Sequence, residues 1–312
     1  MTGRVVVLTG GVGGAKLVLG LAHILPAEKI TAIVNTGDDF QHFGLHISPD
    51  IDTLLYTLSG RANIAQGWGR EGESWSFMSA LRSLAAEDWF QLGDGDLALH
   101  VLRSHALAQG HALSHITAGF AAAWNLQTHI LPMSDQPVST ILTTNEGELG
   151  FQDYFVRLRC APKVNAIRFQ GAGTAKPAPG VLDAILDART AAILIAPSNP
   201  FLSIDPILAV PGIAAALSAA SAPVIAVSPI IGGQAVKGPT AKLMRERGLA
   251  VTPAAIAAHY AGVINGLLID WRDAPCDPQC PFATADTLMV SLADRARVAK
   301  AALDLAARLG AK

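Results

Sequence analysis

Cysteine is scarce: Cys160, Cys276 and Cys280 are the only three in 312 residues. That is too few for a disulfide framework. Cys276 and Cys280 have no neighbouring histidine or further cysteine to complete a zinc set. Charge is scarce too, at 15% of residues with a formal net of −2, so no positive field invites nucleic acid or an anionic membrane. Glycine, proline or polar residues interrupt every apolar stretch before it reaches bilayer length. The amino terminus lacks a charged segment, apolar segment and cleavage site in series. These absences predict a soluble cytoplasmic protein with no nucleic-acid or membrane partner.

What is abundant is apolar residue, 51% of the chain, enough for a large core. The first fifty residues organise the rest. An apolar run at 5–8 stops at Gly10-Gly11-Val12-Gly13-Gly14, a helix pattern follows from Ala15, and a second apolar run at 30–34 stops at Asn35-Thr36-Gly37-Asp38-Asp39. This is a β-α-β unit with polar chemistry at the carboxyl end of both strands, the edge where open parallel sheets bind ligands. Further buried strands are predicted at 164–169, 191–196, 224–227 and 263–269 from short β-branched runs bounded by glycine or proline. Helices are predicted at 181–188, 213–220, 239–247 and 253–259. A long last helix is predicted at 291–309, with Asp294 early and Arg308 late to suit its dipole. Residues 53–127 read as mostly helical, and 138–144 with 149–151 read as a hairpin about a turn at 145–148. The expected architecture is one doubly wound, Rossmann-like α/β domain over 1–312, with a mainly parallel sheet and a mostly helical insertion at about 53–135.

The glycine turn places backbone N–H groups at a positive helix end, which suits a phosphate, and makes Gly11, Gly13 and Gly14 candidate binding residues. Neither common fingerprint fits. Ala15-Lys16-Leu17 lacks the Gly-Lys-Ser/Thr of a Walker loop. Lys16 occupies the small sixth position of a dinucleotide loop, and Asn35 stands where that fold wants a ribose-binding acid. Lys16 is instead a candidate point charge for phosphate, and Asn35 a candidate contact at the strand end.

Asp38, Asp39, Asp50 and Asp52 fall within fifteen residues. Ser48 reads as a helix N-cap with Pro49 at the first helical position, so Asp50 and Asp52 can simply be first-turn acids facing the dipole. Asp38 and Asp39 can be turn formers. The functional alternative is a Mg²⁺ site, which needs only one or two carboxylates beside waters and substrate phosphates. Asp38 and Asp52 are favoured for metal or base roles, Asp39 is the choice for a proton acceptor, and Asp39 and Asp38 are the catalytic candidates. His42 and His46 read as polar loop residues. Two later loops also follow apolar strands: Ser198-Asn199-Pro200, whose Asn199 can bond a base or ribose or merely form a turn, and Ser228-Pro229 with Gly232, Gly233 and Lys237. Phe40, Phe43 and Trp68 read first as core aromatics, with the wall of an apolar ligand slot as the alternative.

At these residues the chain resembles a known family, the 2-phospho-L-lactate transferases of deazaflavin coenzyme F-420 biosynthesis. The resemblance rests on GGVGGAKL, NTGDD, SPDIDTLLYTLSG and GWG. LGDGDLALH, AIRFQGAG, PAPGVLDAI, APSNPFLSIDPIL and SPIIGGQAVKGPTAKLM follow in order, spanning almost the whole chain. It implies transfer of a phospholactyl-type group (phospholactyl, phosphoenolpyruvyl or phosphoglyceryl) from a guanosine-diphosphate-linked small acid. The acceptor is the ribityl hydroxyl of the deazaflavin Fo (7,8-didemethyl-8-hydroxy-5-deazariboflavin); GMP leaves, and Mg²⁺ is required. It also implies that the metal-binding acids are among Asp38, Asp39, Asp50 and Asp52, that both later loops belong to the guanosine diphosphate site, and that the protein is a homodimer. Two rivals remain. One is a nucleotide-sugar-binding regulator of cell-wall metabolism on the same NTGDD framework. The other is a dinucleotide-dependent oxidoreductase, against which the broken glycine fingerprint and Asn35 count.

Overall fold

The structure, a computed structural model, describes residues 3–273 and 275–310. Strand β1 (Arg4–Thr9) ends at Gly10, and α1 (Gly11–Ile24) returns the chain to β2 (Ile30–Val34). A short ribbon follows, β3 (Phe40–His42) and β4 (Leu45–Ile47). Four helices then intervene, α2 (Pro49–Leu58), α3 (Ser76–Ser83), α4 (Asp96–Ala108) and α5 (Leu113–Ala123), before β5 (His129–Pro132). Next come β6 (Ser139–Thr144), β7 (Gly147–Gly150), β8 (Val164–Gln170), α6 (Val181–Leu186) and β9 (Thr190–Ile195). The chain continues through α7 (Asp205–Leu208), α8 (Ile213–Ala219), β10 (Val224–Val227), β11 (Ile230–Ile231) and β12 (Gln234–Ala235). It closes with α9 (Thr240–Glu246), α10 (Pro253–His259), β13 (Gly266–Asp270), β14 (Phe282–Ala285) and α11 (Leu292–Gly310).

Seven parallel strands form the main sheet in the order β14-β13-β10-β9-β1-β2-β5. The chain builds outward from β1 to β5, then returns to lay β9 on the other side of β1. The order therefore reverses between β1 and β9, and the crevice above their carboxyl ends is where such sheets take a ligand. Side chains alternate across the sheet. Val5 and Val7 join a core with Leu17 and Leu21 of α1 and Val298 and Ala302 of α11. Val6 and Leu8 join the opposite core with Ile185, Ile213 and Leu217. Burial on both faces is why these strands are continuous apolar runs in the sequence. Gly20 lets α1 and α11 meet, since a Cβ there would lie 2.2 Å from the Arg295 carbonyl oxygen. Among the described residues no single helix is long and apolar enough to cross a membrane.

The doubly wound architecture is as expected, and three details correct it. Residues 164–169 are not a central strand: β8 is an edge of a separate antiparallel sheet ordered β7-β6-β8. Its residues are mostly exposed or half-buried, because Val-Asn-Ala-Ile-Arg-Phe keeps polar groups interspersed rather than running apolar. The strand expected at 263–269 begins only at Gly266. The insertion ends earlier than 135, at β5, whose four residues pair in parallel with β2. Its helices are four, with long loops at 60–75 and 84–95. Leu99 and Leu113 bind α4 and α5 into the main core, whereas Met78 of α3 packs into a small satellite with Ile47 and Leu92. The expected hairpin forms as β6–β7 with Asn145-Glu146 as its turn.

Candidate active site

The site is built where β1, β2 and β9 end. Gly10 has no room for a side chain: a Cβ would lie 2.7 Å from Asp50 Oδ2 and 2.8 Å from Ser203 Cβ. Gly14 is equally confined, by Thr9 Oγ1 at 2.1 Å, and a Cβ on Gly13 would stand 3.1 Å from the Pro197 carbonyl. Gly11 differs, with φ at +64° and nothing within 4 Å of a Cβ position. It is the glycine whose bare face looks into open space. Helix α1 starts there with neither a side-chain cap nor a first-turn acid of its own, so its positive end is left for groups from elsewhere.

One such group is Asp50. Its Oδ1 accepts from the Gly11 amide at 2.8 Å, and its Oδ2 accepts from Asn35 Nδ2 at 2.9 Å. Asn35 is fully buried, and its Oδ1 accepts from the Gly37 amide at 2.8 Å. Its amide therefore ties the end of β2 to Asp50 and shapes the acidic loop from within. Ser198 plays the matching part on β9. Its Oγ accepts from the Gly10 amide at 3.2 Å and donates to the Gly10 carbonyl at 2.7 Å. Asn199 uses Oδ1 to cap the turn that follows, accepting from Phe201 and Leu202 amides at 3.0 and 3.2 Å. Its Nδ2 is buried with no partner.

The four aspartates divide. Asp38 and Asp50 are buried and Asp39 is half-buried, and the carboxyls of all three are held above the usual carboxylate range. For Asp38 the chief cause is burial, then the Asp50 charge, with the Asn35 hydrogen bond opposing. Burial pushes Asp50 up to about 6 against the Asn35 and Gly11 hydrogen bonds. Burial also raises Asp39, opposed by hydrogen bonds from His46 and Ser48. Asp38 Oδ1 and Asp39 Oδ1 are both buried without a hydrogen-bond partner. Asp52 points elsewhere, because residues two apart on a helix do not share a face. Both its oxygens are closed by the fully buried Arg103 guanidinium. Asp52, Asp96 and His100 bring ligand atoms within 4.8 Å of one another, but the Arg103 charge already neutralises that corner. It is a buried ion-pair network in which Tyr56 donates to Asp96.

Ser48 departs from its expected task. It occupies the N-cap position of α2 without a capping hydrogen bond, while Pro49 is at the helix start as expected. Its hydroxyl donates instead to Asp39 Oδ2 at 2.6 Å. His46 Nε2 meets the same oxygen at 3.1 Å.

Cations gather on the other side of the glycine turn. Lys16 donates to the Met289 carbonyl at 2.9 Å, and its ammonium is held below the usual lysine range by burial and by the nearby Arg295 and Lys237 charges. Arg295 of α11 has a buried Nε with no partner. Lys237 reaches over the insertion loop, so a Cβ on Gly67 would lie 2.7 Å from its Nζ. Just before it, Gly232 and Gly233 form the β11–β12 turn with φ of +59° and +70°, the pattern of a type I′ hairpin. The Gly233 amide donates to Asp273 Oδ1 at 2.7 Å.

Aromatic residues collect around the β3–β4 ribbon. Phe40 packs edge-on to Phe90 at 4.8 Å, and His42 sits 4.3 Å from Phe43 and 5.3 Å from Trp89. Phe43 is 48% exposed and holds φ at +50°, a conformation that is strained for a bulky residue. Trp68 is equally exposed but lies on the separate Gly67–Gly69 loop. Arg103, Arg295, Trp89 and Phe90 were not legible as site residues. For Arg103 a signal existed: Asp96, His100 and Arg103 follow helical spacing on the face that also carries buried Leu99.

A family model described as 2-phospho-L-lactate transferase CofD matches residues 5–301. The chain is 43% identical over 277 residues to a phosphoenolpyruvate transferase from Kitasatospora aureofaciens, covering 86% of each. It is 41% identical over 314 residues to a phosphoenolpyruvate transferase from Streptomyces griseus, covering 97% of this chain and 98% of that one. A solved UPF0052-family protein from Bacillus halodurans shares the fold at a TM-score of 0.62 and 17% identity, covering 96% of this chain and 99% of its own. With almost its full length matched, the chain belongs to the 2-phospho-L-lactate transferase CofD family.

Proposed function

We propose that this chain transfers a phosphoenolpyruvyl group from a guanosine-diphosphate-activated donor to the ribityl hydroxyl of Fo, releasing GMP, as a step in making coenzyme F-420. The observation that carries the reading is the meeting, over the β1/β9 crevice, of a helix end with no cap of its own, three raised acids and an uncompensated group of cations. The choice of enolpyruvyl among the possible acids follows the printed names of the relatives at 41–43% identity.

In this reading the open face of Gly11, the first-turn amides at Gly13 and Gly14, and Lys16 hold the donor's diphosphate. Lys237 balances its remaining negative charge, and Arg295 faces the carboxylate of the donor's acid. Asn199 Nδ2 and the Gly232-Gly233 hairpin flank the nucleoside. The exposed Phe43 ring and the half-buried Trp89 beyond His42 offer the deazaflavin a platform. Asp38 and Asp50 would hold Mg²⁺, a fit supported by the partnerless buried Oδ1 of Asp38 and by the mutual charge of the two acids. The cation supplies neutralisation of charge developing on the phosphate oxygens. Asp39 orients the attacking hydroxyl and accepts its proton at Oδ1. The bond from the ribityl oxygen to the distal phosphorus forms as the bond to the bridging oxygen breaks, and GMP departs with that oxygen. Asp52 is a support for Arg103 and takes no part in metal binding. A cytoplasmic location and a homodimer belong to the same reading; light scattering tests the dimer.

The deciding experiment is incubation with Fo, Mg²⁺ and each of the enolpyruvyl, lactyl and glyceryl guanosine-diphosphate donors, read by mass spectrometry. The expected result is the enolpyruvyl phosphodiester together with GMP. No phosphodiester from any donor, with binding of a nucleotide sugar instead, moves the assignment to a regulator.

A further inference from the structure

We infer that Arg103 and Ser104 of the insertion helix α4 are positioning residues for the acidic loop: they fix His46 by its backbone, and His46 fixes the Asp39 carboxylate. The inference rests on the proposed transfer reaction for its consequence in rate, but its geometry stands apart from it. The β3–β4 ribbon has only three residues in each strand, and two-stranded ribbons are marginal alone. Something else must hold it, and α4 lies against its outer edge. The His46 amide donates to Ser104 Oγ at 2.6 Å, and Arg103 Nη1 donates to the His46 carbonyl at 3.3 Å. Both outward backbone groups of His46 are thus taken by consecutive residues of one helix, where a third strand would otherwise pair.

Each holder is itself fixed. The Ser104 hydroxyl donates to the His100 carbonyl at 2.6 Å, which leaves its lone pairs for the His46 amide. The Arg103 guanidinium is closed on Asp52. A buried ion pair is a poor source of stability compared with apolar packing but a good source of registry. The orientation continues through the imidazole. Gln41 Nε2 stands 3.2 Å from His46 Nδ1 and can only donate, so Nδ1 accepts and Nε2 carries the proton toward Asp39 Oδ2. The Ser48 hydroxyl donates to the same oxygen. Two donors on Oδ2 settle the carboxylate's rotation and leave Oδ1 as its partnerless oxygen. Placement errors near 1 Å cost about a hundredfold in rate, so this chain from α4 to Asp39 bears on turnover.

The test compares Ser104→Ala, Ser104→Thr, His46→Gln and the double variant Ser104→Ala/His46→Gln in the full chain. Transfer kinetics are read together with the ¹⁵N signals of the His46 imidazole. We expect Ser104→Ala to lower kcat by about tenfold while donor KM stays within about twofold. Ser104→Thr should restore the rate, and Ser104→Ala should cause no further loss once His46 is glutamine. A folded Ser104→Ala enzyme with full kcat, or losses that simply add in the double variant, overturns the inference. Arg103→Lys serves as the second holder variant and is expected to shift the His46 signals in the same direction. Should wild-type protein transfer nothing from any donor, the proposed activity falls and the imidazole alone decides. Signals displaced in Ser104→Ala uphold the positioning role, and unmoved signals end it.

Discussion

Asp50 accepts the Gly11 amide at 2.8 Å, so the first open glycine of the turn and an acid from the next helix are one structural unit. The carboxylate meets a positive helix end while its other oxygen takes Asn35 Nδ2. Asparagine at this position has one acceptor where two are used. Asp50→Asn should therefore cost about 1–3 kcal/mol of stability, measured by urea denaturation, and should also lower transfer activity. An unchanged unfolding midpoint would show that the two bonds do not matter.

Asp38 should behave oppositely in stability. Its Oδ1 has no partner and burial disfavours its charge, so Asp38→Asn relieves a strained acid. Melting temperature should hold or rise, while turnover falls by about a hundredfold or more. Normal turnover with unchanged Mg²⁺ dependence would remove Asp38 from the metal.

The same acids make stability depend on pH. Asp50 has a folded pKa of about 6 against an ordinary 3.8, so the folded state binds its proton more tightly than the unfolded one. Its favourable contribution is complete below about 3.8 and is lost as pH rises through about 6. Asp38 and Asp39 shift in the same direction. Metal-free protein should gain melting temperature relative to its Asp50→Asn variant on going from about pH 7.5 to about pH 5.5. Adding Mg²⁺ at the higher pH should narrow that difference. Parallel curves for the two proteins would contradict the assignment.

Arg103 and Asp52 test as a pair. Arg103→Met alone leaves a buried carboxylate without its cation and should cost about 3–5 kcal/mol. Asp52→Asn in the same chain should recover most of that, a coupling read from a double-mutant cycle of denaturation midpoints.

Arg295 separates the donor's two charged parts. Arg295→Gln should raise donor KM by about tenfold, the factor for about 1.4 kcal/mol, and leave GDP affinity by calorimetry little changed. Equal losses for both ligands would place Arg295 on the diphosphate rather than on the acid.

The first β-α-β unit was legible because burial on both faces leaves a continuous apolar strand, and because glycine turns have few alternatives. The acidic segments were legible for their density. Their partition was not. Helical phase does separate Asp50 from Asp52, but only the arrival of Arg103 from 51 residues away shows which acid is neutralised. Ser48 misled for a related reason: its sequence position is that of a cap, and a carboxylate across the loop outcompetes the local amide. Strand β8 was overread because its apolar residues were counted without their alternation. Buried arginines such as Arg103 look like surface ones until the elements that bury them are placed.

The Ser198 hydroxyl that bridges both polar groups of Gly10 spans 188 residues of chain. During synthesis β1, α1 and β2 can leave the ribosome and pair long before that hydroxyl exists. The glycine turn is then completed only when the second half of the sheet docks, since closing so long a span costs more chain entropy than pairing β1 with β2. A chain stopped before β9 would keep the glycine motif intact and still lack the side chain that closes it.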